Sequence, residues 1–229
     1  MGNNWKITDT LTKVFADEVP DGQGSIRLST LHRETVSCVI AYFGAADWGR
    51  YWKVSVKAPE KIETRLRRVE LVPSAYPCHK EQDDNYLRIV PGMYPDLLRD
   101  LDTEGDGADK KYLTKEVPGQ WRSLWLDVTV DAELAGGDYA IVIETETEDG
   151  EKETLKADLH VVDASLPPQK ILHTEWFHSD CLADYYHVKP FSEEHWKILE
   201  NFIRLSATVE MRNKHPNTPI ITISMGKLG

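Results

Sequence analysis

The stretch WRSLWLDVTV, Trp121 to Val130, alternates apolar and polar residues with period two. Leu124, Leu126, Val128 and Val130 fall on one face, and Trp125, Asp127 and Thr129 on the other. A helix repeats every 3.6 residues, so this spacing buries one face only as a half-covered strand. The run GGDYAIVIETETEDGEKETLKADLHVVDA shows the same alternation on both sides of Asp149-Gly150, a dipeptide that takes up the positive φ angles of a hairpin turn. Tyr139, Ile141 and Ile143 then face the core from one arm, and Leu155, Leu159 and Val161 from the other.

Upstream, WKITDTLTKVF, GSIRLST, TVSCVIAYF, YWKVSVKAP and TRLRRVELV are short, rich in β-branched and aromatic residues, and separated by Gly, Pro or Asp clusters. About eight strands without a convincing helix predict a mainly β fold, an antiparallel β-sandwich of the immunoglobulin or fibronectin type. The stretch from Tyr76 to Lys115 reads as a long irregular insertion. The texture changes at Leu166-Pro167-Pro168-Gln169, where two prolines that cannot donate to a ladder mark a linker. Beyond it, KILHTEWF reads as a strand and Ser192 to about Ala207 as a helix. Ser192 is placed as N-cap, Glu193 and Glu194 lie in the first turn, and Trp196, Leu199, Phe202 and Ile203 form an apolar stripe.

Charge and cysteine content remove several classes of function. With 27 Lys and Arg against 38 Asp and Glu, the net charge of -11 repels a polyanionic backbone, and no nucleic-acid partner is expected. Arg65, Arg67 and Arg68 form the single basic cluster, on a strand diluted by glutamates. Cys38, Cys78 and Cys181 are odd in number and widely spaced, which fits reduced thiols and a cytoplasmic setting. No basic-then-apolar leader is read at the start, and no run of ~18 apolar residues spans a membrane, so no membrane partner is expected.

Metal and nucleotide chemistry find little support. His173, His178, Cys181 and His187 lack the tight paired spacing of zinc ligands. The loop Asp102 to Leu113 opens like a calcium loop, with Asp102, Glu104 and Asp106, but has Leu113 where a bidentate Glu is needed. Neither phosphate-cradling glycine motif occurs, and no Ser stands between glycines on a strand-to-helix elbow. No metal and no cofactor is expected. Glu175, His178 and Asp180 remain: if KILHTEWF opens a parallel barrel, Trp176 to Asp180 lie at the carboxyl end of its first strand, where barrel enzymes carry their chemistry. An aromatic beside hydrogen-bonding groups suits a sugar ring.

PGMYPDLL (Pro91–Leu98), QWRSLWLDVTV (Gln120–Val130), HTEWFHSDCLADYY and FSEEHWKILENFI (Phe191–Ile203) resemble the N-terminal part of bacterial proteins related to glycoside hydrolase family 123. The resemblance spans roughly residues 15 to 206. It implies a β-sandwich followed by a (β/α)8 TIM barrel that cleaves N-acetylhexosamine glycosides, with the substrate's own acetamido group as nucleophile. The adjacent Asp and Glu that such proteins use later in the barrel have no counterpart here, so no catalytic residue is assigned. Trp176, His178 and Asp180 map onto the matching motif as substrate-side residues.

The expected organisation is therefore a sandwich over 1–165, a linker over 166–169, the first strand and helix of a truncated barrel over 170–208, and an aberrant or variant tail over 209–229. In the family a second strand of the type Gly-Ile-Asn-(Met or Ile)-Leu-Thr-Pro follows the first helix, and codons for Glu210 to Pro219 read one nucleotide later allow that strand. The other reading of the tail makes Pro219 to Ser224 a short strand of its own. The chain is thus expected to act on glycan as an N-terminal glycosidase-like piece without hydrolytic competence, self-associating through its exposed C-terminal helix. A rival from another class is a carbohydrate-binding or scaffolding sandwich that grips glycan with Trp48, Tyr51, Trp52 or Trp121.

Overall fold

The computed structural model describes residues 4–45, 49–81, 85–147, 149–165, 174–211 and 220–224, with the side chains of 108, 174–178, 205–211 and 220–224 outside that description. The chain divides into two compact units, Met1–Ser165 and Leu166–Gly229.

The first unit holds eleven described strands: β1 (Trp5–Thr8), β2 (Ser25–His32), β3 (Thr35–Phe43), β4 (Tyr51–Lys57), β5 (Ile62–Ser74), β6 (Gly92–Asp100), β7 (Thr103–Glu104), β8 (Lys111–Lys115), β9 (Trp121–Val130), β10 (Gly137–Thr147) and β11 (Lys152–Ser165). They form a five-stranded sheet, β1-β3-β9-β5-β6, and a six-stranded sheet, β2-β11-β10-β4-β8-β7. One apolar core lies between them. Leu124, Leu126, Val128 and Val130 of β9 are buried opposite Ile141 and Ile143 of β10 and Leu155, Leu159 and Val161 of β11, as alternation requires. Tyr139 packs half-buried at the margin of the same core. The β10–β11 hairpin turns with Gly150 at φ 82°, a conformation that favours glycine.

At one end of the core, Trp5 stacks on Tyr42 (4.9 Å, 20°) and meets Trp52 edge-on (5.1 Å, 74°). Trp52 Nε1–H donates to the buried Glu116 carboxylate at 2.6 Å. The outer face of the five-stranded sheet is partly covered too. Val14 packs there with Val39, Ala41 and Trp121, and the Trp121 N–H donates to the Ala16 carbonyl. On this face Asp127 is buried among donors, accepting from Ser37 Oγ, Trp125 Nε1 and Arg67 at 2.8, 2.8 and 2.5 Å. A carboxylate survives there because each of its two oxygens finds a donor, one of them a guanidinium.

Three expectations need correction. The sheets are not purely antiparallel, since β2 and β11 run parallel, Ser25 opposite Lys156. The segment 76–115 is not irregular throughout: β6 extends the five-stranded sheet and β8 the six-stranded one. The alternation of β6 was hidden because it is an exposed edge strand, carrying Pro95 beside a register shift that leaves Asp96 without a partner on β5. Finally, WKITDTLTKVF is a strand only over its first four residues, Trp5–Thr8. Asp9 Oδ1 then accepts from the N–H groups of Leu11 and Thr12 and from Thr12 Oγ1, turning the chain out of the sheet.

The second unit contains β12 (Thr174–His178), helices α1 (Asp180–Tyr186) and α2 (Glu193–Met211), and β13 (Ile220–Ser224). β13 pairs with β12 in parallel, from Thr174 opposite Ile220 to His178 opposite Ser224. Parallel neighbours need a crossover, which α1 and α2 supply. β13 falls within the Pro219–Ser224 segment of the tail. No described helix is long and apolar enough to cross a membrane.

Candidate functional site

The parallel pair gives the second unit a carboxyl end, where His178 and Ser224 lie side by side in register. Chain leaving β12 there passes directly into α1 through Ser179, which is buried. Asp180, the first residue of α1, is half-buried, and its Oδ1 is shut off from solvent without a hydrogen-bond partner among the described residues. A carboxylate oxygen in that state is an acceptor waiting for a donor. Of the sequence-predicted trio, Trp176 and His178 belong to β12 itself, three residues and one residue before Ser179: Trp176 opposite Thr222 and His178 opposite Ser224. Asp180 follows at the strand-to-helix step. His173 and Ile171 lie outside the described residues.

Behind this rim stands a residue that the motif reading passed over. His195, fully buried, receives the Phe191 N–H on Nδ1 at 2.9 Å. Its Nε2 must then carry the proton, which it donates to the Ser179 carbonyl at 2.8 Å. His195 is also the third residue of α2, and its own N–H donates to Ser192 Oγ at 3.3 Å. The arrangement is a capping box with histidine where glutamate is usual, reaching back to the residue before the cap. The signal was present in FSEEHW as Ser-x-x-His. Through it, the start of α2 is tied to the carbonyl preceding Asp180.

The rest of the unit follows its sequence. Ser192 caps α2 as expected, and the Glu194 carboxyl is held below its usual range, first by backbone N–H donation at the helix start and then by Ser192. α1 ends on His187 in the left-handed region, φ 53°, with the His187 N–H returning to Ala183 and Asp184. Leu182, Ala183 and Leu199 are buried, whereas Tyr185, Phe191 and Trp196 are exposed. Among the described residues no three His, Cys, Asp or Glu groups come together to hold a metal ion.

The rival aromatic set fares differently. Trp52 and Trp121 are core residues, 2% and 7% exposed, because their strands point them at apolar clusters rather than at solvent. Neither can grip a glycan. Tyr51 is exposed, with the Lys115 ammonium 5.4 Å from its ring, and Trp48 lies outside the described residues. Arg65, Arg67 and Arg68 are each paired, with Asp100, Asp127 and Glu70, so the basic cluster offers no patch.

Residues 176–227 match the model of the glycoside hydrolase 123 catalytic domain. The chain also superposes on a family 123 glycoside hydrolase from Clostridium perfringens, described for glycolipid glycan hydrolysis, with a TM-score of 0.61 at 13% identity over 91% of this chain and 36% of that one. The chain is family 123-like. At this identity the structural likeness concerns the fold, and the family 123-like chain spans about a third of its relative's length. Weaker likenesses reach the C-terminal domain of an AgI/II polypeptide from Streptococcus agalactiae (TM-score 0.35, 14% identity, 69% of this chain and 49% of that one) and a sporulation control protein from Bacillus subtilis (0.32, 9%, 71% and 51%). No curated protein matches the sequence.

Proposed function

We propose that this chain supplies the sandwich and the opening strand–helix–strand of a glycosidase-like protein acting on glycans that contain N-acetylhexosamine, and that it does not hydrolyse them with the residues it carries. The observation that carries this reading is the overlap of the family-matched residues, 176–227, with the parallel pair β12–β13. In this reading the sandwich is immunoglobulin-like and β12 is the first strand of a TIM barrel. The carboxyl end of such a strand is where barrel enzymes assemble their sites.

Trp176 offers an apolar ring for the sugar face, His178 a hydrogen bond, and Asp180 an acceptor for a hydroxyl or acetamide N–H. The unsatisfied Asp180 Oδ1 supports the last of these roles. Three residues on one strand end orient a sugar without cleaving it. Hydrolysis needs a proton donor to the leaving oxygen and a group that orients the acetamide nucleophile, and residues 170–229 contain no adjacent Asp–Glu pair.

Calorimetric titration of the intact chain with N-acetylgalactosamine tests the reading. Trp176→Ala is expected to weaken binding about tenfold, equivalent to ~1.4 kcal/mol, and Asp180→Asn by a smaller factor. Absence of binding, or binding indifferent to both substitutions, overturns the site assignment. Turnover of a 4-nitrophenyl N-acetyl-β-hexosaminide by the chain alone overturns the claim that it lacks hydrolytic competence.

A further inference from the structure

A groove of about 660 Å³ lies at the β5–β6 edge of the sandwich, within the range of ~300–1,000 Å³ usual for small-molecule sites. The surrounding hairpin is unusually apolar for a surface: Tyr76, Tyr86, Leu87, Ile89, Val90 and Met93 are all exposed. Isolated exposed apolar residues need no explanation, but a concentration of them around a groove does.

The floor of the groove is locked. Phe15 lies under the Arg88 guanidinium, 3.8 Å from ring centroid to Cζ, and Arg88 is itself held by Asp17 at 2.8 Å and by Glu18. Tyr94 stands edge-on to Phe15 (5.7 Å, 81°), its hydroxyl donating to the Val90 carbonyl at 2.6 Å. Walls fixed in advance spare a ligand the cost of ordering them. The rim differs in kind. Lys13, Ser74, Asn85 and Asp96 line the groove, and their side chains make no hydrogen bond or ion pair within the described residues. Tyr86 leaves about half of its surface uncovered beside them.

This chemistry selects its ligand. An added β-strand is disfavoured, because Pro95 has no N–H to offer and Asp96 interrupts the ladder. A polyanion is disfavoured as well, since Arg88 is already neutralised and the rim carries the Asp96 carboxylate as well as the Lys13 ammonium. A purely apolar chain would desolvate four polar rim groups without repaying them. A pyranose satisfies both halves: its C–H face lies on an aromatic ring while its hydroxyls reach amide, carboxylate, hydroxyl and ammonium.

We propose that this groove is a binding site for neutral pyranose units of a glycan, separate from the strand end at Trp176–Asp180. The proposal stands on the groove's own side chains and on no property of the second unit. The test uses the intact, ¹⁵N-labelled chain titrated separately with cellobiose and with N,N′-diacetylchitobiose. At least one disaccharide is expected to shift amides within 13–15, 72–77 and 85–96. Tyr86→Ala combined with Asp96→Ala should weaken that response at least tenfold, with the melting temperature held to within ~1 °C as for other surface changes. Trp176→Ala should leave it untouched, which separates this site from the strand end. No shift in these segments with either sugar, or equal shifts in the double variant, overturns the proposal. So does a patch whose amides move on simple dilution with no sugar present, because that marks a contact between copies of the chain.

Discussion

The two units solve the same problem with different means. In the sandwich, strands from both sheets send apolar side chains into one core, from Trp5 and Tyr42 at one end to Leu159 and Val161 within, and many of these are entirely buried. In the second unit, few apolar side chains are buried among the described residues: Leu182, Ala183 and Leu199. Among the described residues its pieces are also joined by a polar link, His195 bridging Phe191 and the Ser179 carbonyl. Apolar burial is non-directional and redundant, so any one strand of the sandwich is specified several times over. A hydrogen-bonded histidine is directional and single, so the geometry around Asp180 depends on one side chain.

Truncating each unit's organising residue should expose that contrast. Trp5→Ala removes a ring packed against two aromatics and is expected to destabilise the sandwich by about 4 kcal/mol, read as a lower urea midpoint. A change under ~1 kcal/mol would mean that the aromatic end of the core is dispensable. His195→Ala should cost about 2 kcal/mol, because it strands a buried carbonyl and a backbone N–H together. Amide exchange over 179–199 should accelerate more than exchange in the sandwich, and uniform acceleration would erase the distinction between the units.

A smaller effect is expected from Glu194→Gln. The native carboxyl sits below its usual value, so its contribution to α2 is present above the ordinary glutamate range and is lost as pH falls through the lowered value. The variant should therefore flatten the acid limb of α2 melting and leave neutral stability almost unchanged. Thiol chemistry reads the same contrast without altering stability. Cys38 is buried, and burial followed by the Asp127 charge pushes its thiol up to about 12, whereas Cys181 is exposed. Iodoacetamide at pH 8 should label Cys181 at once and Cys38 only on unfolding. The sign also fixes the alkaline behaviour: the raised Cys38 value leaves stability intact below the ordinary thiol range and erodes it as pH climbs from about 9 toward 12.

Legibility followed the same division. The inward faces of β9, β10 and β11 could be read residue by residue, because period-two alternation states both the element and its orientation. β6 could not, since an edge strand buries little, and Pro95 and the slip at Asp96 break the pattern that marks a strand. Aromatic residues misled in the other direction: Trp52 and Trp121 look like surface platforms in sequence, but each falls on a covered side of its sheet. At the candidate site the positions of Trp176, His178 and Asp180 at a strand end were legible, along with the Ser192 cap. The role of His195 was not, because a buried histidine is defined by partners four and sixteen residues away that no local period reveals.

The parallel pairing of β2 with β11 imposes a timetable on the chain's birth. Ser25 meets Lys156, a partner made 131 positions later. At translation speeds of ~5–20 residues per second, β2 waits on the order of ten seconds for its neighbour. Through that interval the five-stranded sheet can assemble from β1, β3, β5, β6 and β9, all of which are complete by Val130. The six-stranded sheet closes last, with β11 arriving between β2 and β10. A nascent chain halted before Lys152 would hold one finished sheet whose apolar side is covered only by β4, β7, β8 and β10, the state in which a chaperone would find it.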